Sequence, residues 1–211
     1  MYKMKILIAC EESQRVCIEF RKLGHEAYSC DIQDESGGFP QWHIKRNALD
    51  EAYTGKYDML IAFPPCTYLS NAGARHLYPQ GILNEERYKK GLEAKDFFMS
   101  MLNAPIKHIA VENPLSSKIY NLPAHSQVIQ PYQFGEPYMK KTLLWLRKLP
   151  LLKHTKVLHQ YIPYINTKNY LQGVRNPKER SKTFVGIAKA MATQWSNPKY
   201  IEQLSLFEHI S

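Results

Sequence analysis

The chain predicts a doubly wound α/β domain built on a mostly parallel sheet. Short apolar runs, too brief for helices, recur along its first half, and amphipathic stretches of helical spacing separate them. Several of these runs end in polar or turn-forming residues, at the sheet edge where open α/β folds bind ligands.

Met4–Cys10 is the first such run, a central strand. Ser13 is expected to cap the helix after it, in which Val16, Cys17, Phe20 and Leu23 share one face until Gly24 ends it. Glu26–Ile32 reads as the second strand, which sets Asp31 at its carboxyl end. Residues 34–40 form a turn-rich loop, and the residues from Trp42 to Leu49 hold a third short strand and its exit. Tyr57–Phe63 is the next strand, stopped by Pro64 and Pro65, which have no N–H to give a sheet ladder. Residues 68–85 are polar and glycine-bearing, and read as a mobile flap. An amphipathic helix spans 86–102, with Leu92, Phe97, Phe98, Met101 and Leu102 available to the core. Lys107–Pro114 is another strand. Val128–Pro131 and Thr142–Leu146, joined through a turn, predict an antiparallel hairpin at the late edge of the sheet. A last helix covers 183–195.

Residues 1–149 and 181–197 therefore make the body. Residues 150–180, rich in Lys, His, Tyr, Asn and Pro without periodicity, make a small basic and aromatic insert, and 198–211 a tail. The length of 211 residues suits one domain, and the 44% of hydrophobic residues argues against a disordered chain. Lys and Arg number 28 against 19 Asp and Glu, a formal charge of +9 that favours a polyanionic partner. The four cysteines, Cys10, Cys17, Cys30 and Cys66, form no CxxC pair and no zinc spacing with histidine, so no metal is expected. Without a visible signal peptide or membrane-spanning run, the expectation is a cytoplasmic protein with reduced thiols and no membrane partner.

Two strands end in reactive groups, at Pro64-Pro65-Cys66 and at Glu112-Asn113-Pro114. The separation of 46 positions from Cys66 to Glu112 holds one loop, one helix and a strand, so the two strands can be parallel neighbours. A thiol and a carboxylic acid side by side suit addition to an electron-poor ring, the thiol attacking carbon while the acid protonates a ring nitrogen. Taken alone, Cys66 reads equally well as an inert buried thiol, and Asp31 as a turn residue.

These motifs resemble those of the cytosine-C5 DNA methyltransferases. Pro65-Cys66 is similar to the nucleophile motif Pro-Cys-Gln, with Thr67 in place of glutamine, and Glu112-Asn113-Pro114 to the motif Glu-Asn-Val. The resemblance implies the S-adenosylmethionine-dependent variant of the Rossmann-like fold. It implies Cys66 as the group that adds to cytosine C6, Glu112 as the acid at N3, and S-adenosylmethionine as the methyl donor. Lys141 would complete the catalytic set and Lys140 would contact the base, in a segment (Gly135-Glu136-Pro137, Lys140-Lys141-Thr142) similar to a late Gly-x-Pro-basic motif. Asp31 would hold the cofactor ribose, with Cys10, Glu11, Glu12, Ile32, Asn47 and Pro64 around the rest of the cofactor. Pro65, Thr67, Ser70, Asn113 and Pro114 would line the substrate side. The helix around Gly186–Met191 is similar to the one that completes the cofactor pocket.

The likeness is greatest to the short members that phages and prophages carry, which implies a bacterial host cytoplasm and duplex or single-stranded DNA as partner. Residues 9–14 contain none of the glycines of the family's cofactor loop, and the target-recognition insert is absent unless 150–180 is a remnant of it. Residues 69–85 would close over a flipped-out cytosine. Two other readings stay open: the same chemistry on RNA or a free pyrimidine nucleotide, and a fold of this type that binds nucleic acid or nucleotide without catalysis.

Overall fold

In a computed structural model of the chain, which describes residues 3–164 and 177–196, the apolar runs pair side by side as strands. The elements are β1 (Lys5–Ala9), α1 (Arg15–Lys22), β2 (Glu26–Asp31), β3 (His43–Lys45), α2 (Ala48–Ala52), β4 (Met59–Ala62), α3 (Asn71–Ala74) and α4 (Glu85–Leu102). They continue with β5 (His108–Pro114), β6 (Gln127–Ile129), β7 (Tyr138–Met139), β8 (Thr142–Arg147), β9 (Ile162–Pro163), α5 (Pro177–Ser181) and α6 (Val185–Trp195). A seven-stranded sheet runs in the order β3-β2-β1-β4-β5-β8-β6. β3 to β5 are mutually parallel, while β8 runs antiparallel to both β5 and β6. This is the Rossmann-like α/β sheet with a late antiparallel hairpin that the sequence predicts.

Both faces of the sheet are covered, and the strands alternate between two buried layers because side chains two apart share a face. Ile6, Ile8 and Ile61 meet Val16 and Phe20 of α1 and Ile187, Met191 and Trp195 of α6. Leu7, Leu60 and Val111 meet Ala52 of α2 and Phe98 and Met101 of α4 on the other side. Leu92 is 39% exposed and takes no part in this layer; buried Gly91 faces the sheet instead, against the Tyr120 ring.

One expectation changes and two gain detail. Helix α1 begins at Arg15, and Ser13 does not cap it. Gln14, in the left-handed region at φ 57°, occupies the cap position without a side-chain bond to the helix. Residues 68–85 are anchored to the body at their start and middle. Leu69 and Leu77 are fully buried, the Ser70 hydroxyl caps α3, and Ser117 N–H donates to the Leu69 carbonyl at 2.7 Å. The described part of the 150–180 stretch lies along the body. Its backbone bonds to 132–139, β9 pairs with β7, and Leu152 and Tyr164 are buried in the α1–α6 layer. Of the basic and aromatic residues expected there, Lys168, Tyr170 and Arg175 fall outside the described residues.

Candidate active site

The strand order reverses between β1 and β4, and a crevice opens at the carboxyl edge of the sheet at such a point. Here it is a cleft of about 830 Å³ lined by the ends of β1 (Cys10, Glu11, Glu12), β2 (Asp31), β4 (Phe63 to Thr67) and β5 (Glu112, Pro114). That volume lies in the range of small-molecule and cofactor sites.

Register positions the reactive pair. Ala62 of β4 is aligned with Val111 of β5, so the next residue on β5 is Glu112 while the chain beyond Ala62 runs through Phe63 and the two prolines to Cys66. The first residue past β4 still pairs with β1, Phe63 N–H donating to the Ala9 carbonyl at 3.0 Å. Pro64 and Pro65 then end the ladder, and Ser70 N–H donates to the Cys66 carbonyl at 3.0 Å, closing the turn that carries the thiol. Burial pushes the Cys66 thiol above its usual range and the neighbouring Glu112 adds to the effect, while Lys140 and Arg180 oppose it. Burial likewise raises the Glu112 carboxyl, again opposed by Lys140. Behind Glu112 a smaller cavity of about 20 Å³ lies between Lys140, Thr142, Thr183 and the apolar side chains of α6.

The cation that acts on both reactive groups is thus Lys140. Its Nζ donates to the Arg180 carbonyl at 3.0 Å and lies 5.8 Å from the Tyr164 ring centroid. Lys141, the lysine assigned to catalysis from the sequence, lines the cleft but is exposed. Lys140 is half-buried and Lys141 exposed where the chain leads into β8.

The other expected residues divide. Cys10, Glu11, Glu12, Asp31, Pro64, Pro65, Thr67, Ser70 and Pro114 line the cleft. Asp31 Oδ1 accepts from Gln33 N–H at 2.9 Å, which fixes the carboxylate at the strand end. Burial and Asp31 push the Cys10 thiol far up, so it behaves as a neutral group. Ile32 is 73% exposed and is not among the lining residues. Asn47 is engaged elsewhere, its side chain accepting from Leu49 N–H at 2.9 Å to cap α2. Asn113 is fully buried, donating to the Pro114 carbonyl at 3.0 Å and the Ser116 hydroxyl at 2.8 Å, so it shapes the turn after β5 rather than facing the cleft.

Sequence reasoning counted Arg180 among the basic residues of the insert and did not single out Ser181, Lys182 or Thr183, yet all four line the cleft as a strap ahead of α6. The helix that follows it was legible. The strap itself has no periodicity, and Arg180 stands 114 positions from Cys66, so no local pattern links them.

No family model matches the chain, and no curated protein matches it in sequence. Solved structures are similar in fold. A candidate DNA modification methyltransferase encoded within a prophage of E. coli is 8% identical over 67% of this chain and 45% of its own, with a TM-score of 0.41. The methyltransferase EhMeth of Entamoeba histolytica is 16% identical over 75% of this chain and 58% of its own, with a TM-score of 0.48. A mutant of Spodoptera frugiperda DNMT2 is 15% identical over 80% of this chain and 56% of its own, with a TM-score of 0.41. The chain spans about half the length of each.

Proposed function

We propose that this protein transfers a methyl group from S-adenosylmethionine to C5 of a cytosine in nucleic acid, DNA first among the candidates. The observation that carries the reading is the meeting of Cys66 and Glu112, at the ends of neighbouring parallel strands, in one cleft that continues to the ends of β1 and β2.

The cleft is polarised. Glu11, Glu12 and Asp31 line it at the ends of β1 and β2, and Lys140, Lys141 and Arg180 line it with Glu112. An acidic end suits a ligand bearing a sulfonium and an ammonium group, and the Asp31 carboxylate suits the two hydroxyls of a ribose. S-adenosylmethionine bound there supplies an electrophilic methyl group. Cys66, as thiolate, adds to C6 of the cytosine, while Glu112 gives its proton to N3. The electron pair released toward C5 makes that carbon the nucleophile for the methyl group. The C5 proton then passes to solvent, the C6–S bond breaks with its electron pair returning to the Cys66 sulfur, and N3 gives its proton back to the Glu112 carboxylate, which restores the ring. Lys140 stabilises the thiolate before attack and the Glu112 carboxylate after its proton has left.

The positive end favours a substrate with phosphates, which nucleic acid and a free nucleotide share. A binding module without catalysis would have no use for a thiol facing an acid. Titration of labelled S-adenosylmethionine into the wild type and Cys66→Ser, followed by offering duplex DNA, single-stranded DNA, RNA and dCMP, tests the reading. Transfer by the wild type alone is expected. A folded protein that does not take up the cofactor overturns it and leaves the binding module.

A further inference from the structure

Arg180 enters the cleft from the last turn of α5, where the strap to α6 begins, and the backbone of this segment is fixed on several sides. Lys140 Nζ donates to the Arg180 carbonyl at 3.0 Å, Tyr164 Oη to the Glu179 carbonyl at 3.3 Å, and Arg15 Nη1 to the Thr183 carbonyl at 2.9 Å. The side chain is treated differently. Its Nε is buried and has no hydrogen-bond partner among the described residues, an arrangement that costs free energy until an acceptor arrives. The adjacent Glu179 carboxylate pairs with Lys182 at 2.6 Å and Arg15 at 3.9 Å.

We propose that Arg180 holds the phosphate of the nucleotide whose base lies against Cys66 and Glu112. A guanidinium presents a planar fork of N–H donors that matches a phosphate. The charge of the lining leads to the same ligand, since Lys140, Lys141 and Arg180 line the cleft with Glu112, and Lys140 acts on both Glu112 and Cys66. A neutral base carbonyl would satisfy the Nε but leave that positive excess unanswered. The inference deepens the reading above, which supplies the base, and it makes Arg180 a positioning residue that sets where the ring stands relative to the thiol.

The test reads the thiol itself. The rate of Cys66 alkylation by iodoacetamide is measured at one pH by peptide mass spectrometry, in chloride and in inorganic phosphate at equal ionic strength. In the wild type, phosphate is expected to slow alkylation several-fold, because an anion on Arg180 cancels a cation that favours the thiolate. Arg180→Gln is expected to lose the phosphate effect and Arg180→Lys to keep part of it, thermal unfolding reporting that each variant is folded. dCMP and oligodeoxycytidylate then replace phosphate. A larger effect of dCMP assigns a free nucleotide, and a larger effect of the oligomer assigns a backbone phosphate. The proposal is overturned by an equal phosphate effect in wild type and Arg180→Gln, or by none in the wild type. No methyl transfer is measured, so failure here leaves the proposed reaction standing, and failure of the reaction leaves the phosphate site standing.

Discussion

The Glu11 carboxylate accepts from Val16 N–H at 2.8 Å and Cys17 N–H at 3.2 Å, filling the amino end of α1 with the chain's own acid. Helix starts leave such donors free, and a glycine-rich loop commonly offers them to a ligand. Here the loop has no glycine. Cys10 and Gln14 adopt φ 59° and 57° in its place, and Gln14 bonds to Ser29 and to both backbone groups of Phe39. The loop is therefore built to close on itself, with Cys10, Glu11, Glu12 and Ser13 lining the cleft.

Glu11 predicts a pH-dependent stability. Burial raises its carboxyl from 4.5 to about 7, despite the two backbone N–H bonds that oppose the shift. A carboxyl raised in the folded state favours folding most when protonated, so its contribution is complete below pH 4.5 and is lost as pH rises toward 7. The loss amounts to roughly 3 kcal/mol at most. Glu11→Gln, which keeps an acceptor without the charge, is expected to flatten the denaturation midpoint across this window. An unchanged pH slope would refute the assignment.

Glu112 predicts the acidic partner in the rate profile. Its carboxyl is raised by burial, so the protonated form that can donate to a ring nitrogen persists above the ordinary carboxylate range, and the shrinking acid fraction makes turnover fall at high pH once the thiolate is fully formed. The raised Cys66 thiol limits the rate from the low-pH side. The product is a bell whose acid-requiring limb vanishes in Glu112→Gln, with kcat reduced by about 10²- to 10⁴-fold. A variant that retains both limbs would assign the acid to another group.

Asp31 and Asn47 separate cofactor binding from helix capping. Asp31→Ala is expected to weaken S-adenosylmethionine binding by about 10- to 100-fold, the usual worth of hydrogen bonds to a carboxylate. Asn47→Ala removes the α2 cap, which costs about 1 kcal/mol of stability and leaves cofactor affinity unchanged. Calorimetric titration and thermal melts on the two variants read these outcomes, and an affinity loss confined to Asn47→Ala would reverse the roles.

Gly73 guards the turn that carries the thiol. A Cβ at this position would overlap the Thr67 carbonyl oxygen, one residue beyond Cys66, and Arg87 Nη2 clamps the same segment by donating to the Gly73 carbonyl at 3.0 Å. Gly73→Ala is expected to destabilise the fold by more than about 1 kcal/mol and to change the Cys66 alkylation rate. An unshifted melting temperature with wild-type thiol reactivity would show that the contact is tolerated.

Much of the catalytic edge was readable before any tertiary contact was known. Apolar runs of strand length, buried on both faces, announce themselves by composition. Pro64, Pro65 and Pro114 mark their ends, because a missing N–H is a local property of the residue. Hence the ends at Cys66, Glu112 and Asp31 follow from the chain alone, and so does the late hairpin. The contacts of Lys140 with Tyr164 and the Arg180 carbonyl, the self-capping by Glu11 and the burial of Asn113 do not, since each depends on which face a neighbouring element covers. Residues 150–164 look like a free insert by texture, yet Tyr164 packs on Phe184 at 4.8 Å between ring centroids and joins the core. Arg180 reaches the site by the same long-range packing. Propensity and patterning act over a few residues, whereas a site assembled from residues 10, 66, 112, 140 and 180 exists only once the sheet has brought their backbones to one edge.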